Sequence, residues 1–207
     1  MAEYETEEQQ VEALKEWWKE NGFAVLAGAG LGIAALFGWY SWNNHQDNLA
    51  TQASDIFALV QEAVNKNDAT ALQEKANMLR ADYASTPYAS LAMLHNAKAQ
   101  HDKGDSTATE ESLRWVIKNS KQDNVQAVAR LRLARLLLAE NKIDDAQALI
   151  ESNMPDAYSS MANEVRGDIF VAKGEIEQAK QAYDQAMQSA SGNNVEFLEL
   201  KRNDLGS

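Results

Sequence analysis

Hydrophobic and polar positions divide the chain into three regimes. Residues Val11, Leu14, Trp17 and Trp18 recur at i, i+3, i+6 and i+7, with Glu12, Lys15, Glu16 and Lys19 between them. That is the period of an amphipathic helix. From Gly22 to Tyr40 the polar positions vanish: "GFAVLAGAGLGIAALFGWY" carries no charge and holds five of the ten glycines. From about Leu49 the helical period returns, broken by short stretches carrying Asn, Asp, Gly or Pro. The pattern predicts helices near 49–65, 69–82, 87–102, 106–119, 123–140, 143–152, 158–173 and 176–190. Helices joined by such short turns predict antiparallel pairs, and hence a repeat array.

The apolar regime could be a buried core helix, a cleaved signal sequence or a membrane anchor. No formally charged residue lies between Glu20 and Asp47, and the window Asn21–Asn44 would make a helix roughly 36 Å long at about 1.5 Å per residue. That length crosses a hydrocarbon core of about 30 Å. A soluble core helix would normally keep a polar stripe, and none appears before Ser41. Trp17 and Trp18 precede the run, and Trp39 and Trp42 close it. Indole rings favour the two membrane–water interfaces. A signal peptide needs a basic leader, whereas residues 1–20 hold seven glutamates and two lysines. The segment reads as an uncleaved transmembrane helix. Lys15 and Lys19 flank it on one side, and no Lys or Arg follows until Lys66. The positive-inside bias therefore predicts a cytoplasmic N-terminus and a translocated C-terminal domain.

Ala24, Gly28 and Gly32 fall at i, i+4 and i+8, a small-residue face suited to helix–helix packing in lipid. The general abundance of Gly and Ala in membrane helices accounts for it equally well. The expected organisation is thus an acidic tail with an amphipathic helix (1–20), a membrane helix (21–42), a juxtamembrane linker (43–48) and a helical domain (49–207). The first ten residues, acidic and polar, read as a disordered tail.

Within the helical domain, "RGDIFVAKGEIEQAKQAYDQA" places Gly167, Phe170, Gly174, Ala179, Tyr183 and Ala186 at the spacing of a tetratricopeptide unit, which it resembles. Gly167 and Ala179 would let two helices approach, Phe170 and Tyr183 would fill the space beside them, and Gly174 would serve the turn. Ala134, Leu137, Asn141, Ala146 and Ile150 occupy the equivalent places one unit earlier, and Gly104, Thr109 and Leu113 one unit before that. The pair at 49–82 has the periodicity without the motif. The fold class is all-α: one transmembrane helix followed by a tetratricopeptide-like solenoid. By analogy with such arrays, the first helix of each pair lines a groove for partners. Leu94, Lys98 and His101 in one unit, and Leu131, Arg135 and Leu138 in the next, are the candidates; Leu131 and Leu138 read alternatively as ordinary inter-repeat core.

Composition narrows the function classes. A net charge of −12 disfavours nucleic acid as a partner. Cysteine is absent, and two prolines are too few for a strand-rich fold. His95 and His101 are not at metal-pair spacing, and no phosphate-binding or dinucleotide loop appears. Enzyme activity, catalytic residues, metal sites and cofactors are therefore not expected.

The layout of "QVEALKEWWKENG", a glycine-rich span ending "GWYSWNNHQ", then "PYASLA" and degenerate repeats resembles the YfgM family. The resemblance implies a single-span protein of the Gram-negative inner membrane, ancillary to the SecYEG translocon and associated with the periplasmic chaperone PpiD. It implies help in passing translocated polypeptides to periplasmic chaperones. As an alternative, it implies a signalling adaptor whose cytoplasmic tail regulates an RcsB-linked envelope stress response.

Overall fold

The computed structural model describes residues 7–152, 154–190 and 193–206. The described residues form nine α-helices and two 3₁₀ turns. Helix α1 (Glu7–Asn65) takes in the amphipathic stretch, the apolar run and the first helix of the array without interruption. Residues 43–48, expected as a linker, are therefore helical, and so are residues 7–10 of the tail; residues 1–6 lie outside the described residues. The reason is chemical. "NNHQDN" contains weak helix formers but neither Gly nor Pro, so each residue costs only about 0.7 kcal/mol or less against alanine. A break would instead leave up to four N–H and four C=O groups without intrahelical partners.

The chain divides into two compact units, one ending at Leu49 and one beginning at Ala50. In the first, the apolar side chains are uncovered: Phe23 is 87% and Leu31 73% exposed. A core helix of a soluble protein buries such residues; this stretch is long and apolar enough to cross a membrane and only 6% buried. Trp17 and Trp18 pack edge-tilted with ring centroids 6.5 Å apart, and Gly22 lies against the Trp18 ring.

The second unit pairs the end of α1 with α2 (Ala69–Asp82), α3 (Pro87–Asp102) with α4 (Ser106–Asn119), α5 (Asp123–Ala139) with α6 (Ile143–Glu151), and α7 (Ser159–Lys173) with α8 (Ile176–Ser189). Each pair turns through one left-handed residue: Asn67 (φ 54°), Gly104 (φ 79°), Asn141 (φ 61°) and Gly174 (φ 77°). Gly and Asn are the residues that enter this region most cheaply. The hydrogen bonds repeat as well. Asp68, Asp105, Lys142 and Glu175, each following the left-handed residue, donate their backbone N–H to Ala63, Gln100, Leu137 and Phe170 carbonyls at 2.8–2.9 Å. These bonds close the first helix in a Schellman motif. The same four residues then start the second helix, with Asp68 and Asp105 capping it through their carboxylates. The first pair thus carries the same turn as the others, through Asn67, a signal overlooked in the sequence.

One continuous core runs from Ala53 to Ile169 through Leu79, Met93, Leu113, Leu133 and Leu137. A smaller cluster of Ala179, Tyr183, Ala186 and Leu198 closes the C-terminal end. Its last member belongs to α9 (Asn193–Asn203), a helix the hydrophobic pattern did not predict. Among the described side chains of α9 only Leu198 is buried, while Phe197 and Leu200 face out, so no single apolar stripe marks it. Lys201 fixes it instead, with Nζ 2.9 Å from Glu164 and from both Asp168 oxygens on α7.

Candidate functional site

Helices α3, α4 and α5 enclose a groove of about 490 Å³ lined by Ala97, Lys98, His101, Asp102, Thr109, Leu113, Arg132, Arg135, Leu136 and Ala139. The α-helical period explains the lining. Lys98, His101 and Asp102 share one face of α3, and Arg132, Arg135, Leu136 and Ala139 one face of α5. Thr109 and Leu113, one turn apart on α4, form part of the floor and are buried. Thr109 Oγ1 donates to the Asp105 carbonyl at 2.7 Å, so the floor presents no free hydroxyl donor.

The rim is cationic. Lys98 pairs with Asp102 at 2.6 Å, one turn along α3, and Arg135 pairs with Glu164 of α7 at 3.2 Å. Arg132 has no carboxylate within 4.0 Å among the described residues; its guanidinium donates a long 3.4 Å bond to the Leu94 carbonyl. A smaller cavity of about 330 Å³ lies on the other side of α3, lined in part by Asn67, Leu72, His95 and Lys103. Burial and, secondarily, the Arg132 charge hold His95 below its usual histidine range. Its ring stands 6.1 Å from that of Phe57.

Of the six positions expected to line a partner groove, Lys98, His101 and Arg135 meet in this one. Leu94 is 8% and Leu131 2% exposed, and Leu138 is half-buried against the same core. These leucines pack into the core between repeats and do not line this groove. The expectation took every third or fourth residue of the first helices; it missed Arg132, Leu136 and Ala139, which lie on the α5 face turned to α3 and α4. The signal that could have found them is Arg132, three residues before Arg135 among apolar neighbours.

The repeat-defining residues sit at the α7–α8 contact. Gly167, Ala179 and Ala186 are buried, Phe170 is half-buried, and Gly174 makes the turn. A Cβ at Gly167 would come within 2.6 Å of the Tyr183 ring at Cδ1, so the missing side chain is what admits the tyrosine. Tyr183 Oη donates to Asp168 at 2.7 Å. Burial, then this acceptor, push the phenol well above its ordinary value. In the N-terminal unit Trp17, Trp18, Trp39 and Trp42 are all exposed, and a Cβ at Gly28 or Gly32 would meet nothing within 4 Å; Ala24 shares that open face. Among the described residues no three His, Asp or Glu side chains gather as a metal site.

Comparison with known proteins now adds to this geometry. The model of a tetratricopeptide repeat-like domain matches residues 15–207, which takes in the apolar helix as well as the array. A protein of Haemophilus influenzae named ancillary SecYEG translocon subunit is 31% identical over 201 residues, covering 96% of this chain and 97% of that one. Its Escherichia coli namesake is 30% identical over 203 residues, covering 98% of each. The chain belongs to this family. A Neisseria gonorrhoeae member, 28% identical, covers 99% of this chain and all of its own. Family membership therefore extends through tail, apolar helix and repeats together, the same span over which the tail and anchor motifs carried the YfgM resemblance. An accessory role at the translocon and a single N-terminal apolar helix fit together in one membrane protein.

Proposed function

We propose that the protein is a non-enzymatic, single-pass accessory subunit of the SecYEG translocon in the bacterial inner membrane. Residues 21–42 form the anchor, the N-terminus stays in the cytoplasm, and the repeat domain works in the periplasm. There it binds the chaperone PpiD and helps pass translocated polypeptides to periplasmic chaperones. The observation that carries this reading is the nearly full-length match to relatives named as ancillary translocon subunits. Two features of the chain support it. The exposed apolar face of α1 needs lipid or another membrane helix to cover it. The groove between α3, α4 and α5 offers an apolar floor with a cationic rim on which a segment of a partner can dock.

Photoreactive residues introduced at Gly28 and Arg135 test the reading in intact cells. The account expects adducts with a translocon subunit from Gly28 and with PpiD or a translocating chain from Arg135. Absence of both adducts, with the protein expressed and membrane-bound, would overturn it. Deleting residues 1–10 separates this reading from the tail-based RcsB adaptor: translocon adducts should survive the deletion.

A further inference from the structure

The groove between α3, α4 and α5 has a charge opposite to that of the molecule around it. The chain carries a net −12, yet the lining sets Lys98, Arg132 and Arg135 against Asp102 alone. Two of the cations are answered, Lys98 by Asp102 and Arg135 by Glu164. Glu164 is moreover shared, since Lys201 holds its other oxygen at 2.9 Å. Arg132 is left with a backbone carbonyl at 3.4 Å and no carboxylate in ion-pair reach among the described residues. Beside this guanidinium lies an apolar floor of Ala97, Leu113, Leu136 and Ala139. The volume, about 490 Å³, falls in the range of about 300–1,000 Å³ typical of ligand pockets.

We propose that this groove binds an acidic, apolar-anchored segment of a partner protein, one large aliphatic or aromatic side chain seated on Leu113 and Leu136 with a neighbouring Asp or Glu paired to Arg132. The proposal rests on reading the repeat domain as a docking module and names the chemistry of what docks. An apolar anchor and a carboxylate–guanidinium pair are the two contact types that concentrate binding energy in small interfaces. A resident partner with a defined segment suits the site better than unfolded clients do, because a fixed unpaired arginine discriminates by charge. Clients must be accepted whatever their charge.

Panning a displayed library of random dodecapeptides on the full chain in detergent micelles tests the proposal. Enriched peptides should carry Leu, Ile, Met or Phe next to Asp or Glu. Synthesised with Asn and Gln in place of Asp and Glu, the best of them should bind at least tenfold more weakly. Arg132→Glu should abolish that binding, Arg132→Lys should keep a measurable part of it, and Ala139→Trp, which fills the groove without changing its charge, should also abolish it. Arg132 and Ala139 are both exposed, so the variants should melt within a few degrees of the parent. Lack of enrichment, enrichment of neutral or basic peptides, equal binding of the amide peptide, or Arg132→Glu without effect would each overturn the proposal. So would full competition by vesicles of anionic phospholipid, which would assign the groove to a headgroup. The assay contains no translocon. Co-purification of Arg132→Glu with SecYEG, measured separately, reads the accessory role by itself.

Discussion

Gly167 and Gly174 serve the same helix for different reasons, and substitution separates them. Gly167→Ala gains about 0.5–1 kcal/mol of helix propensity but drives a Cβ into the buried Tyr183 ring, a strain of about 1–3 kcal/mol. The clash wins, and the melting midpoint of the full chain in micelles should fall by several degrees. Gly174 has open space around its missing Cβ but φ of 77°. There Gly174→Ala should cost about 1–2 kcal/mol of left-handed strain, while Gly174→Asn should cost less, because Asn67 and Asn141 already hold that conformation in sister turns. Equal melting of the Ala and Asn variants would contradict this. The turn residue was legible at Gly104, Asn141 and Gly174, where the repeat spacing points to it, and missed at Asn67, where the rest of the motif is absent. The Gly167–Tyr183 contact was legible because its spacing is fixed by the helix pair.

His95 gives the residue scale a pH dependence. Its folded value lies below the ordinary 6.5 through burial, then through Arg132. As pH falls below about 6.5 the unfolded chain takes up the proton first, so this contribution is intact above that value and is lost down through the folded value. Thermal unfolding followed from pH 7.5 to 5 should fall more steeply for the parent than for His95→Gln. Identical slopes would remove His95 from the account.

At the scale of elements, α9 is held less by apolar burial than by Lys201, whose ammonium reaches Glu164 and Asp168 and stands 5.0 Å from the Phe197 ring centroid. Lys201→Ala should therefore raise amide exchange across residues 193–203 by about tenfold or more, with little change in α3–α5. Unchanged exchange in α9 would mean that Leu198 alone seats it. This helix also marks the limit of sequence reading here. Amphipathic period reveals helices that bury a stripe, as α4, α6 and α8 do; it misses one whose partner is a pair of carboxylates on another helix. The same limit explains residues 43–48, expected as a linker, where nothing in "NNHQDN" forbids helix. It also explains the groove, because a list of first-helix positions does not say which of them face the neighbouring repeat. Lys98 and Arg135 were found that way, and Arg132 was not.

For the whole molecule, the apolar helix and the repeats are carried together through the family, and the proposed role joins them: one keeps the chain at the membrane and the other presents a docking groove. Fold class was legible throughout because both regimes are written in hydrophobic period over long stretches. The partner was not, because no period encodes it. The most direct measurement is affinity purification of the full chain from membranes solubilised in a detergent that keeps SecY, SecE and SecG together. The account predicts that SecY is recovered with the parent, is kept by Arg132→Glu and by deletion of residues 1–10, and is lost when residues 21–42 are replaced by an unrelated membrane span. Recovery of the parent without SecY, under conditions that keep SecE bound to SecY, would contradict it.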